Sequence, residues 1–123
     1  MNVLIVDTDE AFRGTLARRL AHNGLTVHAT GDAREGRVWA CEEHVDAVLV
    51  GLSSPKQALL AFIRKIMHEC PDSKVILINH SGNVPLSIEA MKLGARDEVG
   101  APVDIEELVR KIETIRNDSE DRR

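Results

Sequence analysis

The chain has 123 residues, 43% of them apolar and 29% charged, with a formal net charge of -4. This is enough for one domain with a buried core and too little for two. The acidic balance excludes the electropositive footprint of a nucleic-acid surface. Tyr is absent, and Phe12, Phe62 and Trp39 are the only aromatics, so base-stacking platforms are missing and the core must be aliphatic.

Met1-Asn2 runs directly into an apolar stretch, with no basic leader region and no apolar run of about 18 residues. The expectation is a cytoplasmic domain, neither exported nor inserted in a membrane. Cys41 and Cys70 stand alone, and in an unexported chain they are expected as free, packed thiols.

Short apolar runs then alternate with segments of helical period. Val3-Leu4-Ile5-Val6 has the length and β-branching of a buried strand. Phe12, Leu16 and Leu20 recur at helical spacing, with Asp9 as a cap before them and Gly24 after the end. Gly14 inside this helix costs about 1 kcal/mol against Ala. Residues 25–29 form a second strand candidate. Asp32 and Glu35 have the spacing of a capping box that opens a helix through about Glu43.

Residues 45–50 predict a third strand, and Pro55 opens a helix with Leu59, Phe62, Ile63 and Ile66 on one face. Pro71-Asp72 breaks the pattern before the strand Val75-Ile76-Leu77-Ile78. Asn83 and Pro85 begin a helix that ends before Gly94. A fifth strand falls near 96–99. Asp104 caps the clearest amphipathic helix, carried by Ile105, Leu108, Val109, Ile112 and Ile115. The expected domain covers 1–116, and 117–123 form a polar, frayed tail.

Strands that read as unbroken apolar runs, alternating with helices, imply a parallel sheet covered on both faces: an α/β doubly wound fold with right-handed crossovers. Ligands in such folds sit beyond the carboxyl ends of the strands, so the loops after Val6, Val50, Ile78 and Val99 carry the interest.

Val-Leu-Ile-Val-Asp (3–7), Asp46-Ala-Val-Leu-Val, Ser-Ser-Pro (53–55), Glu-Ala-Met-Lys-Leu-Gly-Ala-Arg-Asp (89–97) and Pro-Val-Asp (102–104) together resemble a response-regulator receiver domain. The likeness runs from Asn2 to about Ile112 and is greatest to receivers of bacterial enhancer-binding transcription activators. It implies a flavodoxin-like (βα)5 fold with five parallel strands in the order 2-1-3-4-5, and a non-enzymatic role in phosphorelay signal transduction.

In that family two adjacent acids after the first strand and an aspartate after the third hold Mg²⁺. The third-strand aspartate accepts the phosphoryl group, and the metal, a hydroxyl and a lysine neutralise its oxygens. Carried over residue by residue, the first acid is Asp7 and the second is Thr8. The acceptor position is Gly51, the hydroxyl position Asn79, the lysine position Ala101 and the switch aromatic Glu98. The acid-glycine pair early in the third helix reads Ala58-Leu59. Asp46 lies at the opposite end of its strand, four to five residues away at about 3.3 Å each, and cannot replace the acceptor.

The resemblance therefore implies a pseudo-receiver: Mg²⁺ binding weak or absent, no catalytic residues and no metal site. Asp7 is expected to cap the following helix rather than hold a metal. Ser53 and Ser54 are expected to be ordinary loop hydroxyls rather than phosphorylation sites. Cys41, His44, His68 and Cys70 could converge on zinc if the second and third helices end side by side, but packed or solvated side chains are the expectation. Arg13, Arg18, Arg19 and Arg37 read as a solvated face. Glu98 should stay outside, because a carboxylate is costly to bury unpaired.

The function expected is an atypical receiver domain that acts by protein–protein interaction, docking a signalling partner or a second copy, without aspartyl phosphorylation. The surface implied is Met91, Lys92, Arg96, Glu98, Asp104, Glu107 and Lys111, with Thr8, Gly51, Ser53 and Asn79 lining an empty strand-end cleft. The alternatives are a phosphoaccepting regulator using a non-standard residue, and a structural remnant of a longer regulator. One further carry-over is a cis bond between Ala101 and Pro102.

Overall fold

The computed structural model of the chain describes residues 1–51 and 55–121. Among the described residues ten elements alternate: β1 (Asn2–Val6), α1 (Glu10–His22), β2 (Thr26–Thr30), α2 (Ala33–Glu42), β3 (Ala47–Val50), α3 (Lys56–Glu69), β4 (Val75–Asn79), α4 (Val84–Leu93), β5 (Asp97–Gly100) and α5 (Ile105–Asp121). All strand pairs are parallel, in the order β2-β1-β3-β4-β5. This is the doubly wound α/β architecture that the apolar runs predict.

Side chains alternate across the sheet, and each face has its own aliphatic layer. Leu4, Val6, Val48, Val50, Val75 and Leu77 meet Leu59, Phe62, Ile63, Ile66, Leu86 and Ala90 from α3 and α4. Val3, Ile5, Leu49, Ile76 and Ile78 meet Leu16 and Leu20 of α1 and Leu108, Ile112 and Ile115 of α5. The central strands β1, β3 and β4 are therefore buried on both faces, which fixes their carboxyl ends as one rigid rim. Among the described residues no helix is long and apolar enough to cross a membrane.

The helix ends follow local chemistry, with differences. Asp9, not Asp7, caps α1, accepting from the Phe12 N–H at 3.0 Å. Asn83 caps α4 through the Leu86 N–H, and Gly94 closes that helix in the left-handed region at φ 119°. Asp32 caps α2 by accepting from the Arg34 N–H, but the capping box is not reciprocal. The Asp32 N–H donates to Thr30 Oγ1 at 3.0 Å, while Glu35 pairs with His28 Nε2 at 3.0 Å and the His28 ring stacks on Trp39. Helix α5 continues to Asp121, into the polar segment from Asn117 assigned above to a frayed tail. The Ala101–Pro102 bond is cis, as the resemblance implies.

The cysteine expectation is overturned. Cys41 and Cys70 form a disulfide, their Cα atoms 5.4 Å apart. The carboxyl ends of α2 and α3 do lie side by side, and that geometry brings the two sulfurs together, so they are not free thiols. The bond closes a loop with a sequence separation of 29 residues, and restricting the unfolded chain to this degree is worth about 3–4 kcal/mol. With both sulfurs in that bond and His44 beside Asp46 at 3.7 Å, the zinc arrangement is not formed.

Two helical glycines have opposite surroundings. A Cβ on Gly14 would meet only Arg18 Nη1 at 3.6 Å, whereas one on Gly36 would lie 2.7 Å from Val6 Cγ2 and 3.4 Å from Phe62 Cζ. Gly14→Ala is expected to raise stability by about 0.5–1 kcal/mol through helix propensity. Gly36→Ala is expected to lower it by about 1–3 kcal/mol through overpacking. Urea unfolding of the two variants checks both signs.

Candidate functional site

The carboxyl ends of β1, β3 and β4 deliver Asp7, Gly51 and Asn79 to one rim, and His80 follows immediately. Asp7 has no exposed surface. Its backbone N–H continues the ladder to the Thr30 carbonyl at 3.1 Å, and its side chain turns inward beneath the loop. One carboxylate oxygen, Oδ1, accepts from the Asp9 N–H at 2.9 Å, and Oδ2 lies 2.7 Å from His80 Nε2. Both oxygens are thus committed to the protein. The His80 ring also stands edge-on to Phe12, with centroids 4.5 Å apart, and about a quarter of the side chain remains exposed (27%).

Gly51 is buried beneath this pair, its N–H donating to the Val6 carbonyl at 2.9 Å. A Cβ there would lie 2.5 Å from Asp7 Oδ2, 2.8 Å from Ile78 Cβ and 3.2 Å from His80 Nε2. The volume a side chain at 51 would need is therefore filled. The cleft expected to be empty at this point holds an imidazole. Sequence reasoning missed His80 because the hydroxyl position falls one residue earlier, on Asn79. The available signal was a histidine directly after a buried strand, in a loop already marked for attention.

Asn79 is buried too, and its amide is spent on the β4–α4 loop. Nδ2 donates to the Asn83 carbonyl at 2.9 Å and to Ser87 Oγ at 2.8 Å, and Oδ1 accepts from the Ser81 N–H at 3.2 Å. Ser87 Oγ in turn donates to Glu98 Oε2. Glu98 is half-buried and paired, not outside as expected, because a buried hydroxyl on α4 satisfies its carboxylate. An unbroken hydrogen-bond chain, Asn79–Ser87–Glu98, links the strand-end rim to the face of α4 and β5.

Arg13 also departs from the solvated face assigned to it. Its Nη1 donates to the Asp7 carbonyl at 2.8 Å, and the guanidinium lies over Gly31, where a Cβ would approach it to 2.5 Å. Thr8 and Ala101 are exposed at the rim. Ser53 and Ser54 lie outside the described residues. Among the described residues, no group of three or more His, Cys, Asp or Glu side chains is placed to hold a metal ion.

The expected docking residues divide in two. Met91, Lys92, Arg96, Asp104 and Glu107 are exposed. Lys111 is held inside the face, its Nζ 2.6 Å from the Glu98 carbonyl, 3.2 Å from Asp97 Oδ1 and 3.4 Å from Glu107 Oε1. Two residues that the sequence reading did not include, Val84 (65% exposed) and Ile88 (51%), extend the patch begun by Met91 (43%). Their spacing, i, i+4 and i+7 from Val84, marks a second apolar stripe on a helix that already buries Leu86 and Ala90.

Burial pushes the Asp7 carboxyl up from its ordinary 3.8, against the lowering effect of the hydrogen bonds from His80 and Asp9. The fold thus favours the protonated acid. The stability this contributes is complete below 3.8 and is lost as the pH rises through the folded value. Asp7→Asn, which cannot ionise, is expected to gain stability relative to the wild type as the pH is raised from 3.8 towards neutrality; urea midpoints across that range measure it. Separately, Gly51→Ala is expected to cost about 1–3 kcal/mol. Removing the imidazole with His80→Ala should relieve part of this, giving a coupling of about 0.5–3 kcal/mol in a double-mutant cycle.

The transcriptional regulator NtrC of Azospirillum brasilense is 28% identical over 94% of this chain, which covers 24% of that protein. The chain spans between about a quarter and about half of the length of curated relatives it matches. A receiver domain protein from Methanospirillum hungatei superposes with a TM-score of 0.87 over 99% of this chain and 98% of its own, at 23% identity. The beryllofluoride-activated receiver domain dimer of NtrC4 superposes with a TM-score of 0.83 at 26% identity, covering 95% and 97%. The family model for the response regulator receiver domain matches residues 3–113, and the chain belongs to that family.

Proposed function

We propose that this receiver domain acts in two-component signalling as a binding module that takes no phosphoryl group on an aspartate. The observation that carries this reading is the strand end at Gly51. No nucleophile exists there, and the space one would occupy is filled by Asp7 and His80. The surrounding donors also suit Mg²⁺ poorly. That ion demands several hard oxygens in near-octahedral array, whereas Asp7 has both oxygens engaged, Thr8 is uncharged and Gly51 offers no side chain.

Without the trigger, the switch position is held by protein contacts alone. The Asn79–Ser87–Glu98 chain and the clasp of Lys111 on the Glu98 carbonyl favour one fixed arrangement of the α4–β5–α5 face. That face presents Val84, Ile88 and Met91 as an apolar centre with Lys92, Arg96, Asp104 and Glu107 as its charged rim. An apolar centre ringed by charge is the anatomy of a protein interface and not of a nucleic-acid surface. The occupant is a protein partner or a second copy of the chain, and control comes from the amount of partner rather than from phosphorylation.

The test is intact mass after incubation with a small acyl-phosphate donor and Mg²⁺. No adduct is expected. A stoichiometric phosphoryl adduct lost at alkaline pH would overturn the reading. On the docking face, Met91→Glu is expected to weaken association with partner or self by at least about tenfold. Its urea midpoint should stay within about 0.5 kcal/mol of the wild type.

A further inference from the structure

We propose that Cys41–Cys70 is a reversible thiol–disulfide modification site whose oxidation state sets how firmly α3 holds α4. The inference takes the α4 face from the function proposed above, but its thiol chemistry stands or falls separately.

The bond joins the last turn of α2 to the residue that closes α3. Both cysteines are half-buried and border a cleft of about 340 Å³ that His44, Val45, Pro71 and Lys74 also line. A thiolate or a peroxide can enter there. The cleft lies at the end of the sheet opposite the Asp7 rim, so the two chemistries do not interfere.

Other contacts hold the same elements together. The two aliphatic layers close over the sheet without it, and α2 and α3 are also joined by Arg37–Glu69 at 3.0 Å and by the close approach of Gly36 to Phe62. Small secreted domains need disulfides because their cores are insufficient, which is not the situation here. Reduction should loosen the carboxyl ends of α2 and α3 while leaving the domain folded.

That loosening has a physical route to α4. Helix α3 touches α4 at both ends: Lys56 Nζ lies 3.2 Å from Glu89 Oε2, and Met67 packs against Gly94, where an added Cβ would lie 3.0 Å from Met67 Cε. Met67 stands three residues before Cys70. Gly94 closes α4, its N–H donating to the Met91 carbonyl at 3.1 Å. Freedom gained at Cys70 thus passes through Met67 to the turn that carries Met91 and Lys92.

In the reducing direction a dithiol attacks one sulfur, the Cys41–Cys70 bond breaks, and a mixed disulfide forms. The second thiol of the reductant then displaces the protein sulfur. Two electrons and two protons pass to the cysteines, and the reductant leaves as a disulfide. In the oxidising direction hydrogen peroxide converts one thiolate to a sulfenic acid. The other thiol condenses with it, so that two thiols and one peroxide yield the disulfide and two waters.

The experiment uses the intact chain, oxidised, reduced with dithiothreitol, and re-oxidised with hydrogen peroxide. Thiol content is read by mass and local opening by amide hydrogen exchange. Reduction is expected to expose two thiols and to raise exchange about three- to tenfold in segments 39–43, 66–70 and 91–94, with β1 and β3 unchanged. Peroxide should reverse both effects. The Cys41→Ser/Cys70→Ser variant should show the reduced pattern under every condition, and if it does not fold the redox cycle of the wild type decides alone. Failure of the native chain to gain thiols, or unchanged exchange at 91–94 on reduction, would overturn the proposal. Neither result bears on the acyl-phosphate test.

Discussion

A carboxylate with no exposed surface must be given hydrogen bonds by the protein around it. At Asp7 that requirement organises the strand-end rim. The Asp9 N–H and the His80 ring meet its two oxygens, and the imidazole is brought over Gly51 to do so. Position 51 must then lack a side chain, and Arg13 can lie across the Asp7 carbonyl because Gly31 leaves room for it. One buried carboxyl group thus accounts for a histidine and a glycine from distant parts of the chain, while Arg13 and Gly31 serve the backbone carbonyl of the same residue.

The same rim is connected to the exposed face by buried polar groups rather than by a moving aromatic. Asn79 closes its own loop and holds Ser87, and Ser87 holds Glu98. Each group has a partner, as buried polar groups require. The apolar stripe on α4 lies beside this chain of bonds.

Most of the architecture was legible in the sequence because it rests on periodicity. Unbroken apolar runs gave β1, β3 and β4 their double burial, and the caps at Asp9, Asp32, Asn83 and Gly94 lie where local chemistry places them. The site was legible only in part. That Gly51 removes the acceptor follows from the resemblance. That His80 takes the space depends on a contact 73 residues apart in sequence, which no local pattern encodes. The disulfide was missed for a similar reason. Expectation about compartment outweighed a juxtaposition of helix ends that the topology had already suggested. Val84 and Ile88 escaped because an apolar residue in an amphipathic helix is assigned to the core by default, and α4 carries two apolar stripes where only one can be buried.

The crowding at Gly51 has a consequence for descent. Any carboxylate arriving there by one replacement enters space already held by Asp7, Ile78 and His80. A change at position 80 alone would not make room, because the tightest contacts, 2.5 Å to Asp7 Oδ2 and 2.8 Å to Ile78 Cβ, would remain. Losing the imidazole would instead leave Asp7 Oδ2 without the His80 partner that lies 2.7 Å from it. The rim is thus held jointly: a side chain at 51 needs room from more than one neighbour at once.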